Sequence, residues 1–176
     1  LLEAANSYSK ISQQPELLFK QKWSRLQALA QKSKINIPDK KIQEAYTWLQ
    51  FNTDGLTRDV PGIGRGISAG LPDYPWWFGT DSEYALQGAL AIGQKDLSLK
   101  SIDLIHQLSL KANKNGRIVH EVSTNGVVFN PGNMNETPQF ASLVWTAYKW
   151  TGDKNLIKKY FPNIRKGLNW LLTEND

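Results

Sequence analysis

The sequence predicts an all-α chain built from helical hairpins, and three observations carry that expectation. Apolar residues recur at helical spacing almost throughout, with no convincing run of alternating strand residues. Two tight turns, Gly93-Gln94-Lys95 and Thr151-Gly152-Asp153, each join a helix that is apolar nearly all round to one with a clear polar face. Two long loops, Asn52 to Thr80 and Asn113 to Glu136, lead into the two apolar helices.

Taken in order, Pro15 opens a helix running to about Lys32, with Leu18, Phe19, Trp23, Leu26 and Leu29 at helical spacing. Pro38 opens a second to about Phe51 through Ile42, Ala45, Tyr46, Trp48 and Leu49. The third spans Asp81 to about Ile92 and ends at Gly93. The fourth spans Asp96 to about Ala112 with Leu97, Ile102, Ile105 and Leu108 on one face. Pro138 starts the fifth, which runs to about Trp150 and is closed by Gly152. A last pair of segments, split at Pro162, reaches Leu172. The third and fifth helices carry almost no charge after their first turn, so both should be inner helices, buried on most sides. The amphipathic ones belong outside. Such hairpins form either a solenoid or a ring. Solenoid repeats of about 34 to 47 residues have short connections, whereas loops longer than about 12–15 residues in a compact domain are usually functional. In a ring, both long loops deliver the chain to one end of the axis, which is where the site is expected.

Composition narrows the function classes. The chain has 176 residues, 40% hydrophobic and 21% charged, which suits one domain with a core and fits neither disorder nor a fibre. It has no run of about 18 apolar residues that could cross a membrane. It begins at Leu1 with no basic stretch leading into an apolar segment, which reads as a trimmed end. Without Cys there is no disulfide, thiol nucleophile or Cys-ligated metal, and the compartment stays open with the cytoplasm slightly favoured. His106 and His120 are the only histidines, too few for a multi-His metal site, and no cofactor is expected. The net charge of +5 invites a nucleic-acid reading. Against it, Lys20, Lys22, Arg25, Lys32, Lys34, Lys40 and Lys41 are interleaved with Gln, Asp and Glu, as on solvated helix faces.

Candidate chemistry lies in the two long loops. The first ends Pro75-Trp76-Trp77-Phe78-Gly79-Thr80-Asp81-Ser82-Glu83. Thr80 and Glu83 read as a capping box. Asp81 reads as an ionised acceptor for sugar hydroxyls, held anionic by the helix N-terminus. Trp76, Trp77 and Phe78 read either as pocket walls or as core filling. The second loop carries His120, Glu121, Asn133, Asn135 and Glu136, more polar groups than capping by Thr137 and Pro138 needs. Glycoside hydrolysis requires an acid to protonate the leaving oxygen and a second carboxylate opposite it. Glu136 and Glu121 are the candidates, with Asp81 third.

The run PWWFGTDSEYAL, followed by GRIVHE and by FNPGNMNETPQFASLVWTAYKWTGD, resembles the six-hairpin glycosidases. It is most similar to the amylo-α-1,6-glucosidase domain of glycogen debranching enzymes, with glucoamylases more distant. The matching motifs run from about Gly66 to Leu172. The resemblance implies an (α/α)6 toroid, of which residues 1–176 supply about half, and release of glucose from α-glucans with inversion and without metal. It implies Glu136 as general acid, Asp81 as a ligand of the terminal sugar, and His120 and Glu121 at the border of the sugar subsite. Two positions depart from the debranching pattern: Thr80 stands where those enzymes typically have Arg, and Glu136 where they typically have Asp. The general base would lie in later hairpins. An apolar seam is expected where the ring is open, with self-association through it. A helical-hairpin binding module without catalysis, or another six-hairpin activity of glucoamylase or trehalase type, is the alternative.

Overall fold

A computed structural model of the chain describes residues 2–173. The chain divides into two compact units at residue 51/52. The first contains helices α1 (Leu2–Gln13) and α2 (Pro15–Lys32) and most of α3 (Lys40–Gly55), whose last turn belongs to the second unit. Pro15 sits at the first helical position of α2, where its missing N–H costs nothing. The start of α3 is two residues later than Pro38 because Asp39 caps it. Its Oδ1 accepts the backbone N–H groups of Lys41 at 2.8 Å and Ile42 at 3.2 Å. Tyr46 and Gln50 of α3 reach back to Ser33 at the end of α2. The helix α1 is not signalled by apolar spacing, since Asn6, Ser7, Ser9 and Lys10 interrupt it.

In the second unit a hairpin of strands β1 (Thr57–Val60) and β2 (Gly64–Ile67) lies against helix α5 (Lys95–Ala112). A side-chain carbon at Gly66 would come within 2.8 Å of Leu104 and 2.9 Å of the Trp77 indole nitrogen, so glycine sets that close approach. Strands β3 (Trp77–Phe78), β4 (Glu121–Val122) and β5 (Val128–Asn130) form a small antiparallel sheet in that order. These five strands correct the expectation of helices joined by plain loops. Each has four residues or fewer, too short for an alternating pattern to be read.

Two antiparallel helical hairpins build the core: α4 (Gly79–Ala91) with α5, and α6 (Glu136–Thr151) with α7 (Lys154–Thr173). Gly152 ends α6 in the left-handed conformation at φ 68°, as its place in the turn requires. The core packs Leu86 and Leu90 of α4 against Ile102, Ile105 and Leu108 of α5 and Leu143, Val144 and Ala147 of α6. Burying each large side chain contributes about 1.5–3 kcal/mol. The apolar pair α4 and α6, the third and fifth helices read from the sequence, pack side by side from a shared N-terminal end.

Three details differ from expectation. The two inner helices are not buried on most sides: Tyr84, Trp145 and Trp150 are exposed. The fifth helix starts at Glu136 rather than Pro138, with Asn135 as its cap residue. Pro162 lies inside one continuous helix α7 instead of splitting it. Leu156 and Tyr160 before it and Ile164 and Gly167 after it all bury one face, and this packing outweighs the roughly 3 kcal/mol cost of an internal proline. Among the described residues no helix is long and apolar enough to cross a membrane.

Candidate functional site

The sheet brings the two long loops together. Phe78 pairs with Glu121 and Glu121 with Asn130, so segments far apart in sequence run side by side into the starts of α4 and α6. The join is sealed by Gly79, whose N–H donates to the His120 carbonyl at 2.8 Å. A Cβ on Gly79 would lie 2.3 Å from the Val119 carbonyl oxygen and 3.0 Å from Glu136 Cγ. Only glycine lets the two helix starts approach this closely.

Glu136 stands at the centre of the join and is 1% exposed. Its Oε2 accepts the backbone N–H of Asn133 at 2.7 Å. Its Oε1 lies 2.7 Å from His120 Nδ1 and accepts the Thr80 hydroxyl at 3.2 Å. Burial pushes its pKa up, but the backbone N–H groups of Glu136 and Asn133, together with the His120 imidazole, outweigh this and hold it below the ordinary carboxyl value. The site therefore stabilises the anion. Thr80, expected as a helix cap, is corrected here. Phe78 is the cap residue of α4, and Thr80 lies inside the helix and spans to Glu136. Glu83 likewise closes no capping box; its Oε1 accepts the Gln87 side-chain amide at 2.5 Å.

Of the aromatic run, Trp76 is half-buried and stacks on Phe129, with ring centroids 5.1 Å apart. Phe78 meets His120 and Tyr74 edge-on at 5.5 and 6.2 Å. Trp77 and Phe78 are the corrections: Trp77 is 1% exposed and belongs to the core, and Phe78 is buried against Tyr74 and His120, so neither forms an open pocket wall. Successive strand residues point to opposite faces, so Trp76 and Phe78 share one side and Trp77 takes the other. Phe129 and Tyr74 were not singled out in the sequence; their partners become visible only once β3 and β5 are in one sheet.

Glu121 is half-buried, and its carboxylate has no hydrogen-bond partner among the described residues. Asn133 and Asn135 are exposed, and Asn135 makes no side-chain capping bond, which leaves its amide available. Asp81 is exposed in the first turn of α4. It lines a cavity of about 260 Å³ with Leu56, Ser68, Ala69 and Tyr84, and Glu136 does not line that cavity. Asp81 and Glu136 do not open into one depression: both lie at the same end of the helices, but Glu136 is sealed beneath Gly79 and Thr80. His106, the other histidine, is in the core between Phe140 and Tyr160. Burial lowers its pKa, opposed by Asp103 and reinforced by Lys159, which keeps it neutral. Among the described residues no group of three His, Asp or Glu is placed to hold a metal ion.

What this end of the helices offers is therefore a fixed carboxylate–imidazole pair, the exposed rings of Tyr74 and Phe129, the half-buried Trp76 and Glu121, and several exposed amides. Compared with family models, curated proteins and solved structures, the chain matches none.

Proposed function

We propose that this chain supplies part of the sugar site of a six-hairpin glycoside hydrolase that releases glucose from α-glucans, with further hairpins completing an (α/α)6 toroid and contributing the general base. One observation carries the reading: two loops remote in sequence converge on the shared N-terminal end of α4 and α6. There they bring Trp76, Phe129, Phe78 and Tyr74 together with His120 and Glu121. Flat rings beside carboxylates and amides suit the faces and hydroxyls of a sugar.

Within this reading the resemblance makes Glu136 the general acid, and its surroundings favour a different role. A proton donor needs a raised pKa and access to the leaving oxygen. Glu136 has a lowered pKa and is sealed. It acts instead as the anion that orients His120 and ties the two helix starts. Glu121, half-buried on the strand that pairs with Phe78, is the carboxyl this reading assigns to the glycosidic oxygen.

Two variants of the full-length protein test this, each assayed on a malto-oligosaccharide and on α-glucosyl fluoride, whose leaving group needs no protonation. Glu121→Gln should cut oligosaccharide hydrolysis by about 10²–10⁴-fold and affect the fluoride far less. Glu136→Gln should impair both substrates together, by loosening His120 and the loop. The reverse pattern returns the acid to Glu136. Absence of any hydrolysis with retained oligosaccharide binding would make the chain a binding module.

A further inference from the structure

The α6–α7 hairpin carries an open apolar cleft of about 490 Å³, lined by Trp145 and Tyr148 of α6 and by Ile157, Phe161 and Pro162 of α7. It is not part of the site above, since it lies along the hairpin toward the C-terminal end of α6 and the first half of α7. Trp145 is 53% exposed and Phe161 55%, with the Trp145 and Tyr148 rings 5.3 Å apart. Large rings left in water on adjoining helices usually mark an interaction surface. A trough between two antiparallel helices has the shape that accepts a third helix.

Charge decides what kind of helix. Lys154 and Lys158, one turn apart on α7, complete the lining, and no acidic residue contributes to it. Neither lysine makes an ion pair among the described residues. A second copy of this chain docked face to face would set these lysines against their own counterparts, in a molecule whose net charge is already +5. We propose that the cleft docks an amphipathic α-helix of another protein, one with large apolar side chains on one face and carboxylates along its flank. The apolar face fills the space over Trp145 and Phe161, and the carboxylates pair with Lys154 and Lys158. The apolar contacts would carry most of the affinity, and the charge pairs would set orientation and partner choice. This inference requires the cleft to stay open beside the further hairpins of the proposed toroid, which the acrylamide measurement below tests.

The test uses the full-length protein and two synthetic helical peptides that share a Leu/Phe face, one flanked by Glu and the other by Lys. Fluorescence anisotropy at low salt should show the Glu peptide binding at least about tenfold tighter, with the preference shrinking as salt rises. Lys154→Glu with Lys158→Glu should reverse the preference, and Phe161→Glu should abolish binding of both peptides. All three positions are exposed, so far-ultraviolet circular dichroism should be unchanged. Three results would overturn the proposal. One is equal or absent binding of the two peptides. Another is shielding of Trp145 from acrylamide in the full-length protein alone, read against Trp145→Phe, which would mean its own chain covers the cleft. The third is concentration-dependent self-association that Phe161→Glu removes, which would make the occupant a second copy.

Discussion

Glu136 is a carboxylate that the fold seals away from water. A carboxylate buried beneath Gly79 is tolerable only because donors surround it: the Asn133 N–H, the Thr80 hydroxyl and the His120 ring. With the folded pKa below the unfolded one, the unfolded chain binds more protons in acid. The stability this group provides is therefore fully present above the ordinary glutamate range and is lost as pH falls through the folded value. Replacing it by Gln leaves at least one donor facing the amide nitrogen, at a cost of about 1–3 kcal/mol. Urea unfolding near pH 7 should show Glu136→Gln less stable than the parent by that amount, and the gap should shrink below about pH 4 as the parent protonates. A gap that did not change with pH would mean that Glu136 is not ionised in the folded protein.

At the scale of the element, two helical glycines separate local propensity from packing. Gly88 on α4 has nothing within 4 Å of where its Cβ would stand, whereas at Gly167 on α7 a Cβ would lie 2.5 Å from the Gly116 carbonyl oxygen and 2.6 Å from Thr137. Gly88→Ala should therefore stabilise the chain by about 0.5–1 kcal/mol through backbone entropy. Gly167→Ala has the same local benefit, but it forces α7 away from the loop that delivers His120 to the site. It should destabilise the chain by more than about 1 kcal/mol. Thermal melts of the two variants side by side measure both effects. A stabilising Gly167→Ala would show that the contact with Gly116 yields at no cost.

For the whole molecule, every member of the buried apolar cluster lies between Ile67 and Ile164, inside the second unit, and α2 buries no residue at all. The apolar core of the second unit is therefore built from that unit's own residues. A chain starting at Asn52 should unfold cooperatively and keep the near-ultraviolet signal of its buried Trp77, measured by circular dichroism during a thermal scan. Loss of that signal or of cooperativity would show that residues 2–51 are needed for the core to form.

The amino-acid order by itself determined the helical class, five of the seven helices among the described residues, the two tight turns and the end of the hairpins at which polar residues gather. These depend on period, proline and glycine, which act within a few residues of one another. The composition of the candidate site was also legible, since Asp81, His120, Glu121 and Glu136 stand in the two long loops. Which of them faces water was not. Trp77 turned inward because β3 pairs with β4, and Glu136 was sealed because Gly79 admits the backbone at 119–120 onto it. Thr80 left its capping role because Glu136, 56 residues away, offers its hydroxyl an ionised acceptor. Pro162 stayed within α7 because the helix buries one face on both sides of it. In each case the deciding partner is distant in sequence, and only tertiary packing brings it within reach.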